Sequence, residues 1–193
     1  MLGVVLSGGE SSRMGIDKGM LRLGEKTWVQ SALDKLAALQ LQVVVSVNAI
    51  QYETYADLLA TEQLVKDDAS LTVKGPLLGV LSVHQQFPQQ DLLVLACDMP
   101  LMELSTLEQL MTIYNNRQAA AYVFTDQGEP EPLCAVYTAT ALATTLRRYQ
   151  SQELVRYSMK FLLQQLDVFP IPLEEGQEKH FRNFNSPAEL DGL

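Results

Sequence analysis

Short apolar runs rich in Val and Leu constrain this chain most. Gly3 to Leu6, Gln42 to Val47 and Asp91 to Cys97 each carry apolar residues at consecutive positions. A strand with one wet face alternates polar and apolar residues; a run without that alternation suits a strand covered on both faces. The segments between them have helical period. From Thr27 to Leu39, residues Trp28, Val29, Ala32, Leu33, Leu36 and Ala37 recur at three- and four-residue steps, the stripe of an amphipathic helix. Further helices are predicted over Gln51 to Ala60, Pro76 to Gln86, Leu104 to Asn115 and Thr138 to Tyr149. Strands alternating with helices imply an α/β fold, a doubly wound, mostly parallel sheet in a three-layer α/β/α arrangement. After residue 125 the pattern loosens: the turn Asp126-Gln127-Gly128-Glu129-Pro130 leads into a strand-like Leu133 to Tyr137, which either extends the sheet or forms a substrate-facing lobe.

The 193 residues suffice for one domain, read as a nucleotide-binding half over 1–100 and an acceptor-binding half over 101–193. No apolar run approaches the roughly 20 residues that cross a bilayer, and Met1 to Leu6 reads as a strand without the basic lead of a signal peptide. A cytoplasmic protein with no membrane partner is expected. With 14 basic and 23 acidic residues the net charge is −9, which argues against nucleic acid as a partner. Cys97 and Cys134 lack metal-site spacing and are expected reduced in apolar strands.

A small phosphorylated ligand would need local cations to overcome that field, and one segment supplies them. Leu6-Ser7-Gly8-Gly9-Glu10-Ser11-Ser12-Arg13-Met14-Gly15-Ile16-Asp17-Lys18 begins where the first strand ends, the edge at which open parallel sheets bind ligands. Gly8 and Gly9 can turn backbone N–H groups toward an anion, while Arg13 and Lys18 neutralise phosphate oxygens. The run matches neither the G-x-x-x-x-G-K-[ST] phosphate loop nor the dinucleotide fingerprint. A glycine-rich surface turn is the plainer alternative.

Leu92 to Cys97 ends abruptly in Asp98-Met99-Pro100, which puts Asp98 at the same edge. A hard cation such as Mg2+ takes one or two protein carboxylates and fills its shell with water and phosphate, so Asp98 is the leading metal ligand; a helix cap is its alternative role. In Lys66-Asp67-Asp68 to Gly79, Gly75, Pro76 and Gly79 would let a helix approach a nucleotide closely, and Asp68 could accept hydrogen bonds from base or ribose. Asn183 and Asn185 precede a helix start at Pro187; Asn185 could offer its carbonyl oxygen to the cation, Asn183 could hold the loop, and capping would explain either. His84 falls in a helical pattern and His180 in a charged loop, without a partnering motif, so neither is assigned to catalysis.

Together these residues resemble the molybdenum cofactor guanylyltransferase family over nearly the whole chain. Leu6 to Lys18 is similar to the family's Leu-x-Gly-Gly-x-x-x-Arg-Met-Gly-x-Asp-Lys signature. Gly75-Pro76-Leu77-Leu78-Gly79, Cys97-Asp98-Met99-Pro100 and Asn183-Phe184-Asn185-Ser186-Pro187 follow in the family's order. The resemblance implies a Rossmann-like nucleotidyltransferase fold and a Mg2+-dependent transfer of GMP from GTP to molybdopterin, with pyrophosphate released. It also implies partners among molybdoenzymes or other cofactor-synthesis proteins. It puts Leu6, Ser7 and Gly8 on the nucleotide, Lys18 on its phosphates, Asp68 near the guanosine and the metal on Asp98, while the residues themselves add Gly9, Gly75, Pro76 and Gly79 to the nucleotide site, Arg13 to the phosphates and Asn185 to the metal. Ser46 stands where the family's Asn-x-Asn has its first Asn, leaving Asn48 for the guanosine. Glu131 to Ala135 resembles the acceptor-side segment. Two alternatives remain: cytidylyl or sugar-phosphate nucleotidyl transfer, from which Gly9 and Met14 point away, and a non-catalytic carrier of GTP or finished cofactor.

Overall fold

The computed structural model describes residues 1–8 and 17–190. Its centre is β1 (Leu2–Leu6), which pairs in parallel with β4 (Gln42–Val47) on one side and β6 (Leu92–Ala96) on the other. With β5 (Leu64–Lys66), β7 (Ala121–Asp126), β8 (Glu129–Tyr137) and β9 (Val168–Pro172), they form a seven-stranded sheet in the order β5-β4-β1-β6-β8-β7-β9. Only β8 runs against its neighbours. A small ribbon of β2 (Arg22–Leu23) and β3 (Lys26–Thr27) stands apart from it.

Strand alternation sends β1 side chains to opposite layers. Val5 joins the buried stripe Val29, Leu33 and Leu36 of α1 (Trp28–Ala38) and Leu107 and Leu110 of α4 (Leu104–Asn116). Leu2, Val4 and Leu6 meet Leu77, Val80 and Leu81 of α3 (Pro76–Gln86), with Leu142 of α5 (Ala139–Gln150) in the same layer. The helices therefore cover both faces, as the apolar runs imply. Leu36 is fully buried, so cutting it to Ala would cost about 2–5 kcal/mol through lost burial and a cavity. Thr27 starts α1 with a capping box to Gln30.

The segment after residue 125 extends the sheet. Gln127 and Gly128 both have positive φ (48° and 88°), the backbone of a tight hairpin turn, and join β7 to β8. The helix expected over residues 51–60 is shorter: α2 spans Gln51–Ala56, and a 3-10 turn follows at Thr61–Gln63. Neither α6 (Met159–Leu163) nor β9 was expected. Pro170 and Pro172, which read as punctuation, lie within β9, where an edge position leaves proline's missing N–H without consequence. Cys97 and Cys134 are buried and free. Among the described residues no helix is long and apolar enough to cross a membrane.

Candidate active site

β1 and β6 end side by side, with Leu6 in register with Ala96, so the chain departs together at Ser7-Gly8 and Cys97-Asp98. The N–H of Cys97 donates to the carbonyl of Leu6 (3.1 Å) and fixes the two exits against each other. The cleft above them is lined by Ser7, Gly8, Asp17, Lys18, Asp98 and Pro76. Its central contact is an ion pair: Nζ of Lys18 donates to Oδ2 of Asp98 at 2.9 Å. Both side chains stay partly open to solvent, 28% for Lys18 and 20% for Asp98.

Several elements hold this pair. Asp17 accepts the N–H of Gly19 (3.0 Å) and caps the 3-10 turn Lys18–Met20. The N–H of Phe184 donates to the carbonyl of Asp98 (2.9 Å), so the late segment with Asn183 and Asn185 returns to the metal-ligand candidate. Asn185 is exposed there, and its own N–H donates to the carboxylate of Glu189 at 3.2 and 3.3 Å. From α1, Lys35 donates to the carbonyl of Pro100 (2.8 Å) and pins the loop after Asp98; burial lowers the pKa of that ammonium.

The N–H of Gly8 does not face the cleft as an anion donor. It and the N–H of Ser7 both donate to the carbonyl of Ser46 (3.0 and 3.1 Å), because that carbonyl stands at the end of the adjacent β4. Gly8 contributes room instead: a Cβ there would lie 3.4 Å from Oδ2 of Asp67 and 3.6 Å from the amide nitrogen of Asn48. Gly9 and Arg13 lie outside the described residues.

Gly8 also borders a second recess, walled by Asn48, Asp67, Lys74, Gly75 and Leu78. Gly75 has a φ of 68°, a left-handed conformation that suits glycine, and Pro76 then opens α3 at a position needing no N–H. The N-terminus of α3, with its positive dipole end, thus lies at the boundary of the two recesses, although Pro76 has no N–H and the N–H of Leu78 donates back to the carbonyl of Gly75 (3.0 Å). Gly79 lies a turn further along, where a Cβ would fall 2.5 Å from Oγ of Ser46. Its absent side chain seats α3 on the sheet beneath the site. Asn48 is half-buried, and its Oδ1 accepts the N–H groups of Ile50 and Gln51 (both 2.9 Å) at the start of α2.

Of the two neighbouring acids, Asp68 binds its own loop, accepting the N–H of Ser70 at 2.8 Å, and this lowers its pKa. Asp67 faces the recess and accepts from Oγ of Ser46 (3.3 Å). Burial raises its pKa to about 6, against the opposing effect of the Ser46 hydrogen bond. The sequence reading passed over Asp67. The available signal was strand parity: two residues beyond buried Val65, an extended chain turns Asp67 to the same layer. It also missed Gln51, whose Nε2 donates to the carbonyl of Ser7 (3.0 Å), and Tyr55 of α2, whose hydroxyl meets both Ser7 and Asp17.

The donor set fits a hard divalent cation. Among the described residues no group of three His, Cys, Asp or Glu gathers as a metal cage. The carboxylates of Asp17 and Asp98 line one cleft, and a single carboxylate suffices for an ion that keeps water and phosphate as its other ligands. Burial, then the charge of Asp98, pushes the Cys97 thiol up to about 12, so it stays protonated beside the site. A wider depression beside the first residues of β4, lined by Gln30, Asp34, Glu62 and Gln63, includes no lysine or arginine among its lining residues and is unsuited to phosphates. His84 and His180 are buried and neither lines the cleft; Nδ1 of His180 bonds Oγ1 of Thr106 (2.8 Å) on α4.

Residues 3–168 match a family model described as the MobA-like NTP transferase domain. A probable molybdenum cofactor guanylyltransferase of Opitutus terrae is 32% identical over 197 residues, covering 99% of this chain and 93% of that protein. One from a Geobacillus species is 27% identical over 198 residues, covering 100% and 97%. Among solved structures, molybdopterin-guanine dinucleotide biosynthesis protein A of Archaeoglobus fulgidus superposes with a TM-score of 0.76 at 23% identity, covering 98% of this chain and 95% of that one. This last likeness bears on the fold alone.

Proposed function

We propose, from the premise that this chain belongs to the MobA-like NTP transferase family and is a nucleotidyltransferase, that it moves GMP from GTP to molybdopterin. The observation that carries the reading is the Lys18–Asp98 pair at the joint exit of β1 and β6, in a cleft shared with the first turn of α3. A cation, a carboxylate and a helix N-terminus on one cleft suit a polyphosphate with its counter-ion.

In the proposed reaction an oxygen of molybdopterin's terminal phosphate attacks the α-phosphorus of GTP. A P–O bond forms there, the bond to the β-phosphate's bridging oxygen breaks, and pyrophosphate leaves with the electron pair. The attacking phosphate is already ionised, so no side chain has to remove a proton, in keeping with a neutral Cys97 thiol. The protein's task is alignment and charge compensation. Lys18 leaves Asp98 for the phosphates, Arg13 adds a second cation, and the positive end of the α3 dipole adds a favourable field. MobA-like nucleotidyltransferases generally use a divalent metal; here we assign Mg2+, which would offset phosphate charge when held by Asp98, with Asn185 as the second candidate ligand. Leu6, Ser7, Gly8, Gly9 and Pro76 border the phosphate end in this reading. Asn48, Asp68 and Gly75 belong to the nucleoside end, joined by Asp67, and Gly79 supports the helix.

The test is to incubate the protein with Mg2+, molybdopterin and each of the four triphosphates. Pyrophosphate release and the mass of the dinucleotide product are then measured. The reading expects guanine dinucleotide and stoichiometric pyrophosphate with GTP. Product from CTP instead would move the assignment to cytidylyl transfer, and binding of GTP without pyrophosphate would make the protein a carrier.

A further inference from the structure

Behind the Lys18–Asp98 pair runs a buried line of polar groups that the proposed reaction does not use. Tyr55 lies on α2 with no exposed surface, yet its hydroxyl is fully engaged. It is hydrogen-bonded to Oγ of Ser7 and, at 3.1 Å, to Oδ1 of Asp17. Oγ of Ser7 in turn lies 3.6 Å from Sγ of Cys97, the residue before Asp98. A carboxylate oxygen accepts, so the tyrosine hydroxyl donates to Asp17, the serine hydroxyl to the tyrosine oxygen, and the thiol to the serine oxygen. Every hydrogen in the line thus points toward Asp17, an arrangement in which each bond polarises the next.

We propose that Tyr55 is a positioning residue: its hydroxyl ties the exits of β1 and β6 to Asp17 and so sets where Lys18 stands. The inference rests on the reading that Lys18 meets the triphosphate. The connection is short in sequence and in space. Lys18 lies between Asp17 and Gly19, and Oδ1 of Asp17 holds both the Tyr55 hydroxyl and the Gly19 N–H. Gly19 shows how closely the tyrosine is seated, because a Cβ there would fall 2.1 Å from the Tyr55 oxygen and 2.3 Å from Oγ of Ser7. A phenylalanine would pack the same ring in the same layer. The hydroxyl therefore bears on loop geometry rather than on core volume.

The test uses the full-length protein and a GTP analogue with a non-hydrolysable α–β bridge, titrated by calorimetry with Mg2+. Four proteins are compared: wild type, Tyr55→Phe, Lys18→Met and the double variant. Expected are about tenfold weaker binding for Tyr55→Phe in the wild-type background, the scale of one buried hydrogen bond, and less than twofold further loss in the Lys18→Met background. A merely structural tyrosine would give the same loss in both backgrounds, and that result overturns the proposal. Tyr55→Phe within twofold of wild type, with Lys18→Met clearly weakened, also overturns it while leaving the role of Lys18 intact. If Lys18→Met binds like wild type, the reading of Lys18 itself falls. Should Tyr55→Phe not fold, Asp17→Ala removes the other end of the same bond; it is expected to show the same background dependence, and additive losses there overturn the proposal.

Discussion

Oδ2 of Asp98 cannot hold a metal ion and Lys18 at once, and this makes Lys18→Met informative without any nucleotide. The ammonium stands 2.9 Å from Oδ2 of Asp98. A magnesium-sized ion takes carboxylate oxygen at about 2.0–2.1 Å, so on that oxygen the two cations compete. At an effective dielectric near 20 the bare attraction at this separation is about 6 kcal/mol. With 28% and 20% of the two side chains still in water, desolvation and screening reduce the net value to about 1–2 kcal/mol. A free ion must displace that interaction, whereas an ion arriving with a triphosphate offers Lys18 new oxygens in exchange. Removing the ammonium should therefore strengthen nucleotide-free Mn2+ binding by about tenfold, at 1.36 kcal/mol per factor of ten. The same change should weaken triphosphate binding. Titration of free Mn2+ by electron paramagnetic resonance measures the first effect, with Asp98→Asn as the variant that should lose the ion. Equal Mn2+ affinities in wild type and Lys18→Met would refute the competition, and undiminished affinity in Asp98→Asn would refute the site.

Asp98→Ala and Lys18→Ala should each lower pyrophosphate release by at least about 100-fold, with circular dichroism and melting close to wild type; near-normal turnover in both folded variants rejects the mechanism. Asp67 has a pKa raised from 3.8 to about 6, so the folded chain holds its proton through that window and stability falls as pH rises through it. Asp67→Asn should thus be more stable than wild type near pH 8 by about 1 kcal/mol after allowance for solvent screening, with the difference lost below pH 4. Urea unfolding across pH checks this, and a less stable variant near pH 8 contradicts it. Cys97 and Cys134, both buried with pKa values pushed to about 12, should resist iodoacetamide at pH 8 in the native protein and react fully in urea; rapid native labelling would show that burial overstated.

The elements legible in the sequence are those whose signals are local. Helices α1, α3 and α5 lie within about a residue of their predicted bounds, because capping by Thr27 and Thr138 or proline at the first turn is written in the residues themselves, and α4 follows its apolar stripe without a side-chain cap. The strands of the parallel half are legible because double-sided burial leaves an uninterrupted apolar run. β9 escapes because its assignment rests on pairing with β7, between Val168 and Ala121, which no local pattern records. α6 is five residues long, too short for a period to establish itself. The site divides the same way. Asp98 stands out just past the end of a strand and Lys18 at the close of the glycine-rich segment, and the fold brings them together. Asp67 and Asp68 have the same chemistry, and only backbone direction separates the one facing the recess from the one bound to Ser70. Tyr55 reads as ordinary core, since nothing local marks a hydroxyl that reaches across to Ser7 and Asp17.

The bond from the Phe184 N–H to the carbonyl of Asp98 has a consequence for the order in which the protein matures on the ribosome. Chains emerge N-terminus first, so β1, β4 and β6 can pair well before residue 184 has been added. A nascent chain released from the tunnel only as far as β9 would hold all the strands of the described residues while the backbone at its metal-ligand candidate still lacked that tether. The tether therefore arrives together with buried Phe181 and Phe184, the last aromatic rings of the core, after the strands have been made.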